Sequence, residues 1–296
     1  MKQAFSGGRQ IARWIISGKN RFSQLLYRPT AVSRRIKKIF DYANSGRGIR
    51  GKLACGLVGL ATAMSSNSRA PRLAKWVPDV LRIAPSRLQG LSLLINPRDW
   101  SQTVIYEEIF VATGYDLSVV NFEPTHVVDC GGHIGLFSLL ASSAFPKAKI
   151  TIFEPNPSNF SRILKNRSLN RLDWDCRLAA VGAKAGEAYL DVFNSHSARL
   201  SNHRGLRTKV CELAAFITAL GSSSLVLKMD VEGEERTMWP DLIPWLPLQT
   251  AVFFETHHGS DAWSDAEKQF GQHGFRVRKL VDRGAFCDGY AERITG

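Results

Sequence analysis

The stretch from Val127 to Phe137, VVDCGGHIGLF, constrains the fold more than any other part of the chain. Two β-branched residues run into an acid, a glycine cluster follows, and an apolar run comes after it. The pattern predicts a buried strand that ends in a tight turn and passes into a helix. Turns of this kind belong to α/β sheets, where ligands sit beyond the carboxyl ends of the strands.

The chain then keeps alternating. The helix GLFSLLASSAF is followed by a strand, AKITIFEP, and a helix, PSNFSRILKNRSLN, with Pro157 at its start. DWDCRLAAVG and GEAYLDVF read as strands, the second as an excursion or edge hairpin. CELAAFITAL is a helix, SSLVLKMDV a strand, and EERTMWPDLIPWL a helical segment broken by Pro240 and Pro244. The strand QTAVFFETHH, the helix WSDAEKQFGQHG and two strands, FRVRKLVD and AFCDGYAERI, complete the order. Strand and helix in alternation predict a doubly wound, mostly parallel sheet covered on both faces.

Charge divides the chain in two. Residues 1–87 carry a net +16 and residues 88–296 a net −3. This predicts a basic helical N-terminal extension, residues 1–87, ahead of a main domain, residues 88–296. RQIARWIISG and VSRRIKKIFDYA are basic amphipathic patterns, suited to a helical cap with a solvated basic face, to a membrane surface or to nucleic acid. LACGLVGLATAM, only 12 residues long, reads as a buried helix rather than a membrane span. SSNSRAPR reads as a linker. The first 40 residues are Arg-rich and contain no acid, like an organellar transit segment or a bacterial basic arm. The five cysteines are scattered, with no C-x-x-C pair, which favours a reducing, cytoplasmic setting over a disulfide or zinc framework. Cys130 fits a small apolar filler in the turn.

Three predicted strand ends carry acids: Asp129, Glu154 and Asp230. The G-x-G-x-x-G fingerprint for a pyrophosphate is absent. Asp129 stands where that anion would approach and would repel it. A ligand bearing an ammonium and a sulfonium but no phosphate, S-adenosylmethionine, meets the opposite response. Glu154 lies 25 residues after Asp129 and ends the next strand, where a carboxylate can accept hydrogen bonds from ribose hydroxyls.

VVDCGGHIGLFSL, FEPNPSNF, LAAVGAKAGEAYL and LVLKMDVEGEE resemble, in that order and spacing, the FkbM-type S-adenosylmethionine-dependent methyltransferases. The resemblance spans about residues 102–260, and Lys228 to Glu235 is its most specific part. It implies a class I methyltransferase fold, Rossmann-like, and methyl transfer to a hydroxyl of a small molecule, sugar or glycan. His133 departs from the Asn common in that family. The candidate cofactor contacts are Asp129, Gly131, His133, Gly135, Glu154, Pro155, Asn156, Ala180, Val181 and Asp230.

A hydroxyl acceptor benefits from a base and from in-line positioning. Asp230, His257 and His258 are the candidate catalytic residues, with His196 and His203 in a polar segment suited to a lid. Either adjacent histidine could take a proton near neutral pH, where an unperturbed imidazole titrates. No dedicated metal-ligand spacing is visible. Two other readings compete. One is an RNA methyltransferase that grips phosphates with residues 1–87. The other is a non-catalytic protein that docks on a membrane or a partner.

Overall fold

The computed structural model describes residues 31–65, 78–112, 114–194, 197–201, 205–257, 260–284 and 286–293. Two helices, α1 (Ala31–Ser45) and α2 (Gly48–Ser65), come first. A short antiparallel pair, β1 (Leu81–Ile83) and β2 (Leu93–Ile95), leads to α3 (Trp100–Tyr106). α3 runs on into a π-helical stretch, Glu107–Val111. Alternating elements follow: β3 (His126–Cys130), α4 (Leu136–Ala144), β4 (Lys149–Phe153), α5 (Pro157–Asn170) and β5 (Trp174–Arg177). An excursion holds β6 (Ala180–Gly182), β7 (Gly186–Asn194), β8 (Ser197–Ser201) and β9 (Leu206–Glu212). The chain returns through α6 (Leu213–Leu220), β10 (Ser224–Met229), α7 (Glu235–Leu242), β11 (Gln249–His257), α8 (Ser260–Gln272), β12 (Phe275–Asp282) and β13 (Phe286–Arg293).

Seven strands form the main sheet in the order β12-β13-β11-β10-β3-β4-β5. All neighbours from β11 to β5 are parallel, and β13 inserts antiparallel between β11 and β12. This is a doubly wound, Rossmann-like α/β arrangement. The order reverses between β3 and β10, so the crevice opens at their carboxyl ends.

Alternation within each central strand explains why both faces are covered. Val127, Val226 and Phe253 point into one apolar cluster, and Val128, Leu227 and Phe254 into the other. α4 and α5 cover the first face. α6, α7 and α8 cover the second.

The expected strand DWDCRLAAVG is split, because β5 joins the main sheet whereas β6 pairs with β9 in a separate four-stranded sheet. Part of the expected lid, Ser197–Ser201, is a strand paired with β7. His196, His203 and RQIARWIISG lie outside the described residues, as does most of SSNSRAPR.

The division at residue 87 is one of charge, and the packing crosses it. β1 pairs with β2 across that position. Tyr42, Cys55 and Val58 of the two N-terminal helices join the same cluster as Tyr106 and Val127. The Tyr42 hydroxyl donates to the Thr103 carbonyl at 3.0 Å. The LACGLVGLATAM helix is apolar on both sides and only half buried: Cys55 and Val58 are covered, but Leu53 is 67% exposed.

Candidate active site

The turn after β3 owes its shape to glycines. Gly131 has φ +78°, and a Cβ there would stand 2.0 Å from the Asp230 carbonyl oxygen. Only glycine permits both that conformation and that approach. The chain ends β3 and β10 side by side, with Asp230 N donating to Cys130 O at 3.3 Å. His133 also has a positive φ, 51°, and Gly135 leads into α4 in the left-handed region.

The three strand-end acids fare differently. Asp129 is fully buried. Its carboxylate accepts from the Ser138 hydroxyl at 2.6 Å and lies 3.6 Å from the Lys228 ammonium. This corrects the expectation that Asp129 meets a ligand directly, because the side chain turns back under α4 and braces the turn. Burial pushes its pKa up, and Lys228 and Ser138 pull it down. Lys228 donates to Gly131 O at 2.6 Å and sits 3.5 Å from Asp230. Burial alone would lower the Lys228 pKa, but the pull of Asp230 and Asp129 raises it.

Glu154 does face a cavity. Its two oxygens accept from the backbone N–H groups of His133 and Asn156, at 2.7 and 2.8 Å. Burial still raises its pKa to about 7, opposed by those two bonds. With Gly131, His133, Pro155, Ala180, Val181 and Asp230 it lines a cleft of about 80 Å³. Leu190 and Val231 also line it. Asn156 faces away from the lining set, since its side chain caps α5 by accepting from Ser158 N. Gly135 and Asp129 are likewise absent from the lining, whereas Asn159, unmarked in the sequence, belongs to it.

A second cavity, of about 620 Å³, opens beside the first, and Asp230, Glu232 and Ile105 line both. Its other walls are Trp100, Val104, Glu107, Glu108, Glu255, His257, Arg283 and Phe286. Arg283 bridges Glu108 at 3.1 Å and Asp288 at 3.0 Å. Glu108, Arg283 and Asp288 escaped the sequence reading. The π-helical turn carrying Glu108 is a feature that often marks functional sites, but no local pattern announces it.

His257 lies within 4 Å of three carboxylates: Glu235 at 3.5 Å, Glu232 at 3.7 Å and Glu255 at 3.9 Å. Burial would lower its pKa, but Glu235, Glu255 and Asp230 outweigh that and raise it to about 9. The imidazole is therefore held as a cation at neutral pH. A ring that carries both protons donates rather than accepts, which favours Asp230 over His257 as the acceptor of a proton. Burial, then Asp230, raises Glu255 to about 9. His258 lies outside the described residues. Asp230, Glu255 and His257 bring one ligand atom each to within 4.8 Å of the others, a spacing that can hold a divalent cation. The sequence offers Asp230, Glu232, Glu255 and the histidines as possible ligands without a dedicated spacing, and the pairing of β10 with β11 brings three of them together.

No family model matches the chain. It is 42% identical over 66 residues to Methyltransferase sdnD of Sordaria araneosa, covering 22% of this chain and 25% of that protein. It is 35% identical over 68 residues to Methyltransferase 1 of Beauveria bassiana, covering 23% and 27%. These matches thus span about a quarter of the length of either curated relative. Among solved structures, it is similar to methyltransferase FkbM from Methylobacillus flagellatus, with TM-score 0.43, 13% identity, and 88% and 59% of the two chains covered. It is also similar to M. jannaschii TYW2 in complex with AdoMet, with TM-score 0.41, 13% identity, and 73% and 88% covered.

Proposed function

We propose that the protein is an S-adenosylmethionine-dependent methyltransferase of FkbM type that methylates a hydroxyl of a small molecule, sugar or glycan. The observation that carries the reading is the pair of adjoining cavities that share Asp230. One suits a nucleoside, with Glu154 placed for ribose hydroxyls and Ala180 and Val181 along an apolar wall. The other suits the acceptor. The names of the two curated relatives support methyl transfer.

S-adenosylmethionine, when bound, supplies an electrophilic methyl group for in-line displacement. The residues of this chain position the reactants. Glu154 holds the ribose, Asp230 orients the acceptor hydroxyl and accepts a hydrogen bond from its proton, and the His257 cation tempers the negative field around Asp230.

The second cavity weighs against an RNA acceptor. Asp230 and Glu232 line it as carboxylates, Glu107 and Glu108 are paired with Lys38 and Arg283, and Glu255, its pKa raised to about 9, holds a proton. A phosphate backbone meets repulsion there. Hydroxyl groups meet acceptors, and Trp100 and Phe286 offer flat apolar faces. Residues 88–296 are assigned the transfer chemistry and residues 1–87 a helical cap, in a cytoplasmic protein. No helix among the described residues is long and apolar enough to cross a membrane.

Isothermal titration tests the cofactor, and an acceptor screen with isotopically labelled S-adenosylmethionine tests the reaction. Saturable S-adenosylmethionine binding without NAD binding is expected. NAD binding with no response to S-adenosylmethionine overturns the reading.

A further inference from the structure

The helices α1 and α2 form an antiparallel hairpin whose outer face is apolar and uncovered among the described residues. Their contact is set by small residues: Gly56 meets Ala43, and a Cβ on Gly59 would come within 2.7 Å of Tyr42. Gly51, Cys55, Val58 and Thr62 mark the buried side of α2. At 100° per residue, Ile49, Leu53, Leu57 and Leu60 fall within an arc of about 80° on the side away from it. Their exposures are 80%, 67%, 44% and 38%. On α1, Ile36 and Phe40 are 50% and 64% exposed. They lie next to the residues that meet α2 and turn away from Tyr42 and Ser45, which face the interior. The six apolar side chains therefore share one outward face.

A contiguous exposed apolar face on a globular chain marks an interaction surface. The charges around it say with what. Residues 31–65 contain seven Lys and Arg and a single acid, Asp41. Arg34, Lys37, Arg50 and Lys52 are exposed and form no ion pair among the described residues. Lys38 and Arg47 are tied down, Lys38 2.6 Å from Glu107 and Arg47 donating to Leu88 O at 2.8 Å. Apolar residues on one face with cations at its margins match a bilayer interface that carries anionic headgroups. A polar nucleic acid leaves the leucines unaccounted for.

We infer that the outer face of the α1–α2 hairpin docks the protein peripherally on an anionic lipid surface. The six apolar residues enter the headgroup boundary and the flanking Arg and Lys contact lipid phosphates and carboxylates. The inference is independent of the methyl-transfer reading.

The test is co-flotation of the full chain with phosphatidylcholine vesicles and with vesicles containing about one third phosphatidylserine. Binding to the anionic vesicles is expected, at least tenfold above the neutral ones and weakened by 0.5 M salt. The variant Leu53→Ser/Leu57→Ser should lose at least tenfold in vesicle affinity, with an unchanged circular dichroism spectrum and melting temperature. Because both side chains are largely exposed, the fold is expected to survive. Equal binding by the variant means that basic residues alone attract the vesicles, which overturns the proposal. Absence of vesicle binding also overturns it, as does a dimer that this variant dissociates, since the face then belongs to a second copy of the chain.

Discussion

The Lys228 ammonium donates to the Gly131 carbonyl at 2.6 Å, which pins the end of β10 to the turn that closes β3. Asp129 and Asp230 stand at 3.6 and 3.5 Å on either side of it. One buried cation thus balances two carboxylates from neighbouring strands. Lys228→Met strands Asp129 in the interior, where its Oδ1 has no hydrogen-bond partner. The expected loss is about 3–5 kcal/mol of unfolding free energy, measured by urea titration. Adding Asp129→Asn should recover part of it, because the stranded charge is gone. No recovery would show that Lys228 acts through the Gly131 carbonyl alone.

Glu154→Gln is expected to weaken S-adenosylmethionine binding by about 10- to 150-fold, the effect of losing charge-assisted hydrogen bonds worth about 1.5–3 kcal/mol. The amide keeps the volume and one acceptor for the His133 and Asn156 N–H groups, so the fold should persist. Calorimetry on the variant decides the point. A dissociation constant equal to the parent's removes Glu154 from the ribose.

Stability should fall as pH rises. His257 has a folded pKa of about 9, above its ordinary 6.5, and Glu255 about 9, above 4.5. In both cases the folded state binds the proton more tightly than the unfolded one. Their contributions are complete below the ordinary values and disappear as pH passes through 9. Melting temperature between pH 6 and pH 9.5 should therefore decline, and Glu255→Gln should flatten the decline. A parent profile that rises over this range contradicts the assigned protonation.

These features were unequally legible. VVDCGGHIGLF announced the turn, because a strand end, a glycine step and a helix start are adjacent in the chain. The position of Glu154 was legible for the same reason: the end of one strand opens onto the cleft. Asp129 misled, because nothing local reveals that Ser138, nine residues on, captures its carboxylate within the fold. His257 was legible only in part, for a related reason. Its charge is set by Glu235 and Glu255, and Glu235 reaches it from the far side of a loop. Glu108 and Arg283, 175 positions apart, meet only after the whole sheet is assembled.

Asp230→Asn should depress single-turnover methyl transfer by about 100- to 10,000-fold if Asp230 takes up the acceptor's proton in the transition state. His257→Gln should cost less, because that residue modulates the field rather than receiving the proton. The ranking is the test. A larger loss from His257→Gln than from Asp230→Asn would return the role of base to β11.

The N-terminal helices should matter to the acceptor more than to the cofactor. Tyr42 is fully buried, and its hydroxyl donates to Thr103 O at 3.0 Å and to Glu107 Oε2 at 3.1 Å. Both partners belong to the segment that carries Trp100, Val104 and Glu108 into the larger cavity, proposed for the acceptor, whereas the smaller cleft proposed for the cofactor takes only Ile105 from that segment. Tyr42→Phe removes the hydrogen bonds and should cost about 0.5–1.5 kcal/mol. Tyr42→Ala also opens a cavity beneath α3 and should cost about 3–5 kcal/mol. At a temperature where Tyr42→Ala stays folded, its KM for the acceptor should rise several-fold while the dissociation constant for S-adenosylmethionine stays within about twofold. Equal losses on both sides would mean that the helices support the sheet as a whole. No loss on either side would show that the residue 87 charge boundary also separates function.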